Sequence, residues 1–397
     1  MSSRSQAPEI SLIVNTFMKP RHLGLVLDSI ERQIGVEGRF EVVITDDGST
    51  DETERLVAQR AAKASYRLAF TSRPHDGFRL ARVRNDGVRI AHGQRFLFLD
   101  GDCMLPRDHV AVHLERCQQG VATGGDCGRL TESQSQGVDP TALDAAAIGQ
   151  MLTSTEQAAL RRKLRKWRWY SLIGHSTKPR LVGNNIGIHR HDFERINGFD
   201  ERFVGWGQED DDISLRLRAV GVRLETVLDS TCSLHVWHPT DPTATPRWRD
   251  GPNVQYFLRK GRLSQCRQGL VTRNLESLRW RFPPDLEQTA LGRGIAEMLG
   301  PHAQTRVPND QTAEVDLVIY PGQGRFLPRK KTRQGSRGRH AYPECRVLLL
   351  ANNPGGQGSG VPRKLRAAAD VILQAPAFRE PMSVWLSDLN AVLEQVG

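Results

Sequence analysis

The first hundred residues predict an α/β fold built on parallel strand-helix-strand units. Two observations carry that reading. Short apolar runs (Ile10–Val14, Phe40–Thr45, Arg95–Leu99) have strand length. Stretches of helical period separate them at the interval that parallel crossovers require. Sheets of this kind bind ligands in the crevice beyond the carboxyl ends of their strands, so residues just after each strand are the candidates for chemistry.

Taken in order, Ile10–Val14 is a strand and Leu23–Gln33 an amphipathic helix, with apolar residues at helical spacing. Strand Phe40–Thr45 runs into the turn Asp46-Asp47-Gly48-Ser49-Thr50-Asp51, and helix 52–64 follows, then a strand near Arg67–Thr71. Helix 80–91 leads to strand Arg95–Leu99, and Val121–Gly125 is a further strand. Arg129–Ala147 is polar and poor in period, which predicts a mobile loop. Glu156–Tyr170 is helical in period, then come strand Leu181–His189, helix Asp211–Val220 and a strand near Arg223–Val227. The Pro/Thr/Asp-rich Pro239–Pro252 marks the edge of a first unit. Amphipathic helices are expected at Val254–Cys266 and Leu270–Trp280, and buried strands at Val315–Tyr320 and Arg346–Ala351. The expected domains are therefore 1–245, a helical extension 246–299, and a small α/β accessory unit 300–397 with a basic loop, Arg325–His340.

The chain has 397 residues, so one large or two ordinary domains fit. At 38% hydrophobic it can fill a core, yet no run approaches the roughly 20 apolar residues of a membrane span. The polar Met1–Glu9 lacks the pattern of a secretory signal. Six cysteines without any C-x-x-C pair indicate neither a zinc ribbon nor a disulfide framework, and a reduced cytoplasmic setting is expected. A net charge of +10 is compatible with nucleic acid, an anionic membrane or phosphorylated substrates. Much of the excess lies in two places, Arg161–Arg168 and Arg325–Arg339. The first is a helix interleaved with Trp167, Trp169 and Tyr170. It suits peripheral contact with an anionic membrane at its inner face, or an anionic or lipid-linked glycan, and equally a solvated helix with its Trp residues packed on the sheet.

Asp100-Gly101-Asp102 places two carboxylates at a strand's end, where hard oxygens suit Mg²⁺ or Mn²⁺ beside a diphosphate; alone, an acidic turn is the plainer account. Asp46 or Asp47 could accept the imide N–H of a uracil or thymine, while Ser49, Thr50 or Asp51 caps the next helix. Phe17 either stacks on a base or belongs to the core. Four consecutive acids, Glu209-Asp210-Asp211-Asp212, follow a Gly-Trp-Gly loop. They suit a helix start, and a carboxylate held there is also a good general base. His235 and His238 are surface residues or, with Asp102, metal ligands.

In chain order, Ser11–Val14, Thr45–Asp51, Arg79–Gly87, Phe98–Asp102, Gly183-Asn184-Asn185 and Asn197–Asp212 resemble the family 2 glycosyltransferases, and Gly205–Leu217 is similar to the C-terminal motif of the β-1,4-galactosyltransferases. The resemblance covers roughly residues 9 to 240. It implies the GT-A nucleotide-diphospho-sugar transferase fold, with a mixed, mostly parallel sheet. It also implies a metal-dependent, inverting hexosyltransferase of polysaccharide biosynthesis, moving a sugar from a nucleotide-sugar (a UDP-sugar by preference) to a hydroxyl of a glycan or lipid-linked acceptor. Carried over residue by residue, Phe17 stacks on the base, Asp47 recognises it, Arg79 reaches base or diphosphate, and Asp100 contacts the ribose side. Asp102 and His235 hold Mn²⁺ or Mg²⁺, with His238 the alternative ligand. Asp210 is the catalytic base, Glu209 and Asp211 position acceptor hydroxyls, Asn185 contacts substrate, and Trp206 belongs to a loop folding over the donor. Met18 stands where Asn is frequent.

Two other functions are open to the same residues. A sugar nucleotidyltransferase would need a phosphate-cradling glycine loop near the N-terminus, and Thr16–His22 is not one. Gly355–Gly360 after the tail strand is the only superficial candidate and reads as a turn. A non-catalytic basic carbohydrate- or nucleic-acid-binding protein has no reason to keep Asp102, Asp210 and His235 together, and no specific nucleic acid is expected.

Overall fold

The computed structural model of the chain describes residues 7–140, 143–239, 251–259, 261–274, 277–281, 314–320, 345–350 and 363–374. The chain divides into a unit Met1–Phe257 and a unit Leu258–Gly397.

The first unit is built on a seven-stranded sheet of β1 (Ile10–Thr16), β2 (Phe40–Asp46), β3 (Leu68–Ser72), β4 (Arg95–Asp100), β6 (Val121–Gly124), β8 (Asn185–His189) and β9 (Arg223–Thr226), in the order β3-β2-β1-β4-β8-β6-β9. The first four strands are mutually parallel, β8 is antiparallel to both its neighbours, and β9 returns parallel to β6. Order reverses at β1 and β4, so the crevice opens beyond Thr16 and Asp100. A second, three-stranded sheet lies at that end: β5 (Cys103–Met104), β10 (Ser233–His235) and β7 (Cys127–Arg129), in the order β5-β10-β7.

Strand alternation sorts the core. Ile10, Leu12 and Val14 of β1 share one cluster with Leu23, Val26, Leu27 and Ile30 of α1 (Pro20–Ile30), Val57 of α2 (Thr53–Ala61) and Val110 of α4 (His109–Arg116). Each fully buried aliphatic side chain contributes roughly 1.5–3 kcal/mol. The opposite face takes α3 (Leu80–Ile90) and an aromatic cluster of Phe96, Phe98, Phe193 and Phe199. Helix α3 sits so close that a Cβ on Gly87 would meet Thr45 Cγ2 at 2.3 Å and Ile13 Cγ2 at 2.7 Å.

The expected mobile loop Arg129–Ala147 is instead largely ordered into elements. It holds α5 (Glu132–Gln136), closed by a capping box between Thr131 and Gln134, and the start of α6 (Ala145–Met151), capped by Asp144. The basic helix is α7 (Ser154–Leu172), in which Leu160 is the buried residue. Its tryptophans divide: a Cβ on Gly124 would meet the Trp167 ring at 3.0 Å, whereas Trp169 is 59% exposed. Two short helices follow later, α8 (Arg190–Arg195) and α9 (Glu209–Ala219). No described helix is long and apolar enough to cross a membrane.

The expected helical extension 246–299 is described only in part. Among the described residues of Val254–Cys266, α10 (Pro252–Phe257) is the helix that forms, and Gly261 has φ of 69°. Leu270–Trp280 carries no α-helix among its described residues, because Gln268 bridges Thr272 and Trp280 enters a strand. That strand, β11 (Trp280–Arg281), opens the second unit's parallel sheet with β12 (Val315–Tyr320), β13 (Cys345–Leu350) and β14 (Val371–Gln374), preceded by α11 (Arg363–Ala368). The basic segment Arg325–His340 and the turn Gly355–Gly360 lie outside the described residues.

Candidate active site

A cleft of about 660 Å³ occupies the crevice at the ends of β1, β2 and β4. At one end lie Phe17 and Asp47. Phe17 is 40% exposed and stacks on His75, with ring centroids 4.4 Å apart and planes within 13°. The acidic turn divides its labour. Asp46 accepts from Gly48 N, Ser49 N and Ser72 Oγ at 3.1, 2.8 and 2.7 Å, and Ser49 Oγ donates to it at 2.5 Å, so Asp46 pins the turn. Gly48, with φ of 86°, supplies the left-handed step. Asp47 is thereby released to the cleft. It is 7% exposed, its Oδ1 has no hydrogen-bond partner among the described residues, and burial raises its carboxyl against the pull of His75 and Arg73. A buried acceptor left open in a cleft is a place for a ligand's N–H. Met18 adopts φ of 51°, a left-handed position that Asn tolerates better than Met.

Midway stand Asp100, Asp102, His235 and His238, all lining the cleft. Strand pairing of β5 and β10 sets His235 opposite Cys103, beside Asp102. The His235 Nε2 lies 3.6 Å from Asp102 Oδ1 and the His238 Nε2 lies 3.2 Å from Asp102 Oδ2. One ligand atom from each of these three residues lies within 4.8 Å of the others, so both histidines reach Asp102 and neither is set aside. Burial works against the Asp102 charge, yet His238, His235 and Lys19 hold its carboxyl well below the ordinary range. Asp102 raises His238, while burial lowers His235. Lys19 puts its ammonium 3.0 Å from Asp102 Oδ2 and 2.9 Å from His238 Nε2. A cation already sits among the donors, and one carboxylate with two imidazoles is a set that suits Mn²⁺. On that chemistry the residues fit a divalent ion.

Behind Asp100 the chain buries Arg84, from α3, at 1% exposure. Its guanidinium lies 3.3 Å from Asp100 Oδ1, 3.0 Å from Asp210 Oδ1 and 3.7 Å from Glu209 Oε1, donates to Gly183 O at 2.9 Å and rests on the Phe199 ring. Gly183 N donates to Asp210 Oδ2 at 2.7 Å. One guanidinium thus faces three carboxylates. Burial raises Asp210, with Arg84 opposing and Asp100 assisting. Burial and Asp210 push Glu209 up to about 8. Glu209 is the more enclosed, with a side chain 7% exposed against 26% for Asp210.

A stability consequence follows from Glu209. Between its ordinary 4.5 and about 8 the folded chain holds a proton that the unfolded chain has lost, so stability falls as pH rises through that window. Glu209→Gln should flatten the slope of melting temperature against pH across that window. Parallel slopes for the two proteins would disprove the elevated carboxyl.

The remaining candidates divide. Trp206, 47% exposed, lines the cleft from the Gly-Trp-Gly loop. Arg79 does not line it: the guanidinium turns to Asp76 at 2.7 Å. Asn185 is fully buried, with its Oδ1 3.2 Å from His109 Nε2, and Asn184 lines the cleft in its stead. Asp211 pairs with Arg180 at 2.7 Å and lines a different pocket. Residues the motifs did not single out include Arg84, Lys19 and Asn253. Arg84 was detectable as a charge on the apolar face of α3, in line with Ala81 and Val88. Asn253, from α10, sends its Nδ2 to the carbonyls of Gly205, Trp206 and Gly207 at 3.2, 3.5 and 2.9 Å. Gly205, Gly207 and Gln208 all have positive φ, and Asn253 holds that unusual loop. Asn253→Ala should cost about 1–3 kcal/mol of stability and increase protease cleavage near Trp206; unchanged melting and cleavage would show that the clamp is idle.

The chain is similar to several known proteins. A family model described as glycosyl transferase family 2 matches residues 11–187, and one described as N-terminal domain of galactosyltransferase matches residues 164–238. A validoxylamine A glucosyltransferase of Streptomyces hygroscopicus subsp. limoneus is 28% identical over 245 residues, 57% of this chain and 51% of its own. A hyaluronan synthase of Pasteurella multocida is 26% identical over 264 residues, 62% of this chain and 26% of its own. Among solved structures, a mannosyltransferase from Pyrobaculum calidifontis in complex with GDP-Man and Mn²⁺ is 20% identical over 59% of each chain, with a TM-score of 0.43. The chain spans about half the length of the validoxylamine relative. Residues 11–187 thus carry the match to glycosyl transferase family 2 and residues 164–238 the match to the galactosyltransferase domain, and together the two span the cleft-forming strands and the acidic helix α9.

Proposed function

We propose that the chain is an inverting glycosyltransferase that moves a sugar from a nucleoside diphosphate donor to a hydroxyl of a glycan or lipid-linked acceptor. The observation that carries this is one cleft with an aromatic ring and an open buried carboxylate oxygen at one end and the Asp102–His235–His238 cluster midway; Asp210, held by Arg84 behind Asp100, lies just outside the cleft lining. Phe17 and the Asp47 Oδ1 suit a pyrimidine whose imide N–H needs an acceptor, which favours uridine. Asp102, His235 and His238 would hold the divalent ion, which when bound supplies positive charge to offset that on the departing diphosphate.

Asp210 takes the proton of the acceptor hydroxyl as its oxygen bonds to the anomeric carbon. The bond from that carbon to the diphosphate oxygen breaks, and its electron pair leaves with the nucleoside diphosphate. One displacement inverts the anomeric centre. Arg84 keeps the base aligned, and Trp206 excludes water from the donor.

The test is to incubate the full chain with a panel of UDP-sugars and Mn²⁺ and measure UDP release, hydrolysis included. Release that EDTA abolishes is expected. No release, together with no Mn²⁺-dependent UDP binding, would leave the cleft without this role.

A further inference from the structure

A second pocket, of about 380 Å³, lies next to the cleft and takes no part in the reading above. The segment Val182-Gly183-Asn184 separates the two. Val182 lines the pocket, Gly183 N–H holds Asp210, and Asn184 lines the cleft. Alpha carbons two residues apart are at most about 7 Å distant, close to the length of one sugar ring. Val182, on the pocket, is thus the chain neighbour of Gly183, whose N–H holds the proposed base.

The lining has an unusual balance. Trp167 and Tyr170 of α7 give two half-buried aromatic rings. Four cations accompany them, and two are neutralised: Arg180 by Asp211 at 2.7 Å and Lys163 by Asp126 at 2.8 Å. Lys178 lies over the Tyr170 ring at 5.3 Å, and Lys166 has no carboxylate partner among the described residues. Aromatic faces receive the flat, C–H-bearing face of a sugar, and ammonium groups beside them receive an acidic substituent. A neutral glycan would have no use for the two uncompensated lysines.

Resting on the glycosyltransferase reading, we propose that this pocket is the acceptor subsite and that it takes an anionic sugar, one bearing a carboxylate or sulfate, adjoining the residue that receives the transferred sugar. Asp211 then acts from the pocket floor through Arg180, and the basic face of α7 draws the polyanion toward it.

The test is calorimetric titration of the full chain, without donor, with tetragalacturonate (carboxylate), a carrageenan tetrasaccharide (sulfate) and maltotetraose (neutral). At least one anionic tetrasaccharide should bind about tenfold or more tighter than the neutral one, and the stronger of the two tells carboxylate from sulfate. The double variant Lys166→Glu, Lys178→Glu should lose about tenfold in that affinity. Arg162→Glu with Arg165→Glu, on the same helix but outside the pocket, should lose clearly less. Equal losses for the two pairs, equal binding of neutral and anionic glycans, or no binding up to about 10 mM would overturn the proposal. Because no donor is present, glycan binding is independent of UDP release. Anionic preference with neither UDP release nor Mn²⁺-dependent UDP binding would sink the glycosyltransferase reading and leave an anionic-glycan pocket that is not an acceptor subsite, and release without anionic preference would sink the subsite alone.

Discussion

Replacing Asp210 by Asn should lower sugar transfer about a thousandfold while leaving UDP affinity within about twofold. The carboxylate accepts from Arg84 Nη1 at 3.0 Å and from Gly183 N at 2.7 Å. An amide of the same shape keeps one acceptor but turns its NH₂ toward a donor, and it cannot take a proton from the attacking hydroxyl. Burial with Asp100 nearby raises Asp210, which makes it a better base than an exposed aspartate, while Arg84 opposes the rise. Glu209 is the obvious rival, but at about 8 it is largely protonated near neutral pH and it is the more enclosed. The variant also removes the charge that helps push Glu209 up, so the Glu209 carboxyl should fall toward its ordinary range. Single-turnover UDP release and UDP titration read the two expectations separately. A variant that transfers at the wild-type rate would move the base role elsewhere, with Glu209 first in line.

How much of this was legible before the structure depends on length and burial. β1, β2 and β4 were, because strands covered on both faces read as near-continuous apolar runs. β5 and β10 were not: at two and three residues they carry no period, although they are what brings His235 to Asp102. The segment after β7 misled for a different reason. Its helices are short and polar, and their signal lay in caps, Thr131 with Gln134 and Asp144 before Ala147, which a search for hydrophobic period passes over. Past Phe257 the opposite error arose. Apolar spacing suggested helices where Gly261 breaks the chain and Trp280 is fully buried as part of a strand.

The candidate site divides along the same physical line. Motif order nominates Asp102, Asp210 and Trp206 because acids and glycines after strands are visible one residue at a time. Contacts between distant segments are not. Arg84 meets Asp210 across 126 residues and Lys19 meets Asp102 across 83, so neither pairing has a local pattern. Arg79 and Asn185 show the converse: each sits in its motif, yet Asp76 takes the first and the His109 layer the second.

Asp102→Ala should reduce Mn²⁺ affinity at least a hundredfold and UDP release about a thousandfold. Asp102 is the carboxylate that Lys19, His235 and His238 all reach, and it offsets the Lys19 charge at that point. Without it the two imidazoles and an ammonium face one another, and a divalent cation is repelled. The fold should survive, because the strand contact at this position, Val236 N to Asp102 O at 2.9 Å, uses backbone atoms only. Lys19→Met tests the same electrostatics from the other side. It keeps all three donors and removes the competing cation, so Mn²⁺ should bind severalfold tighter in the absence of nucleotide. Separate His235→Ala and His238→Ala variants then rank the imidazoles by the same Mn²⁺ titration. Wild-type Mn²⁺ affinity in Asp102→Ala, or UDP release untouched by EDTA, would show that the cluster serves as an anchor for Lys19 and not as a metal site.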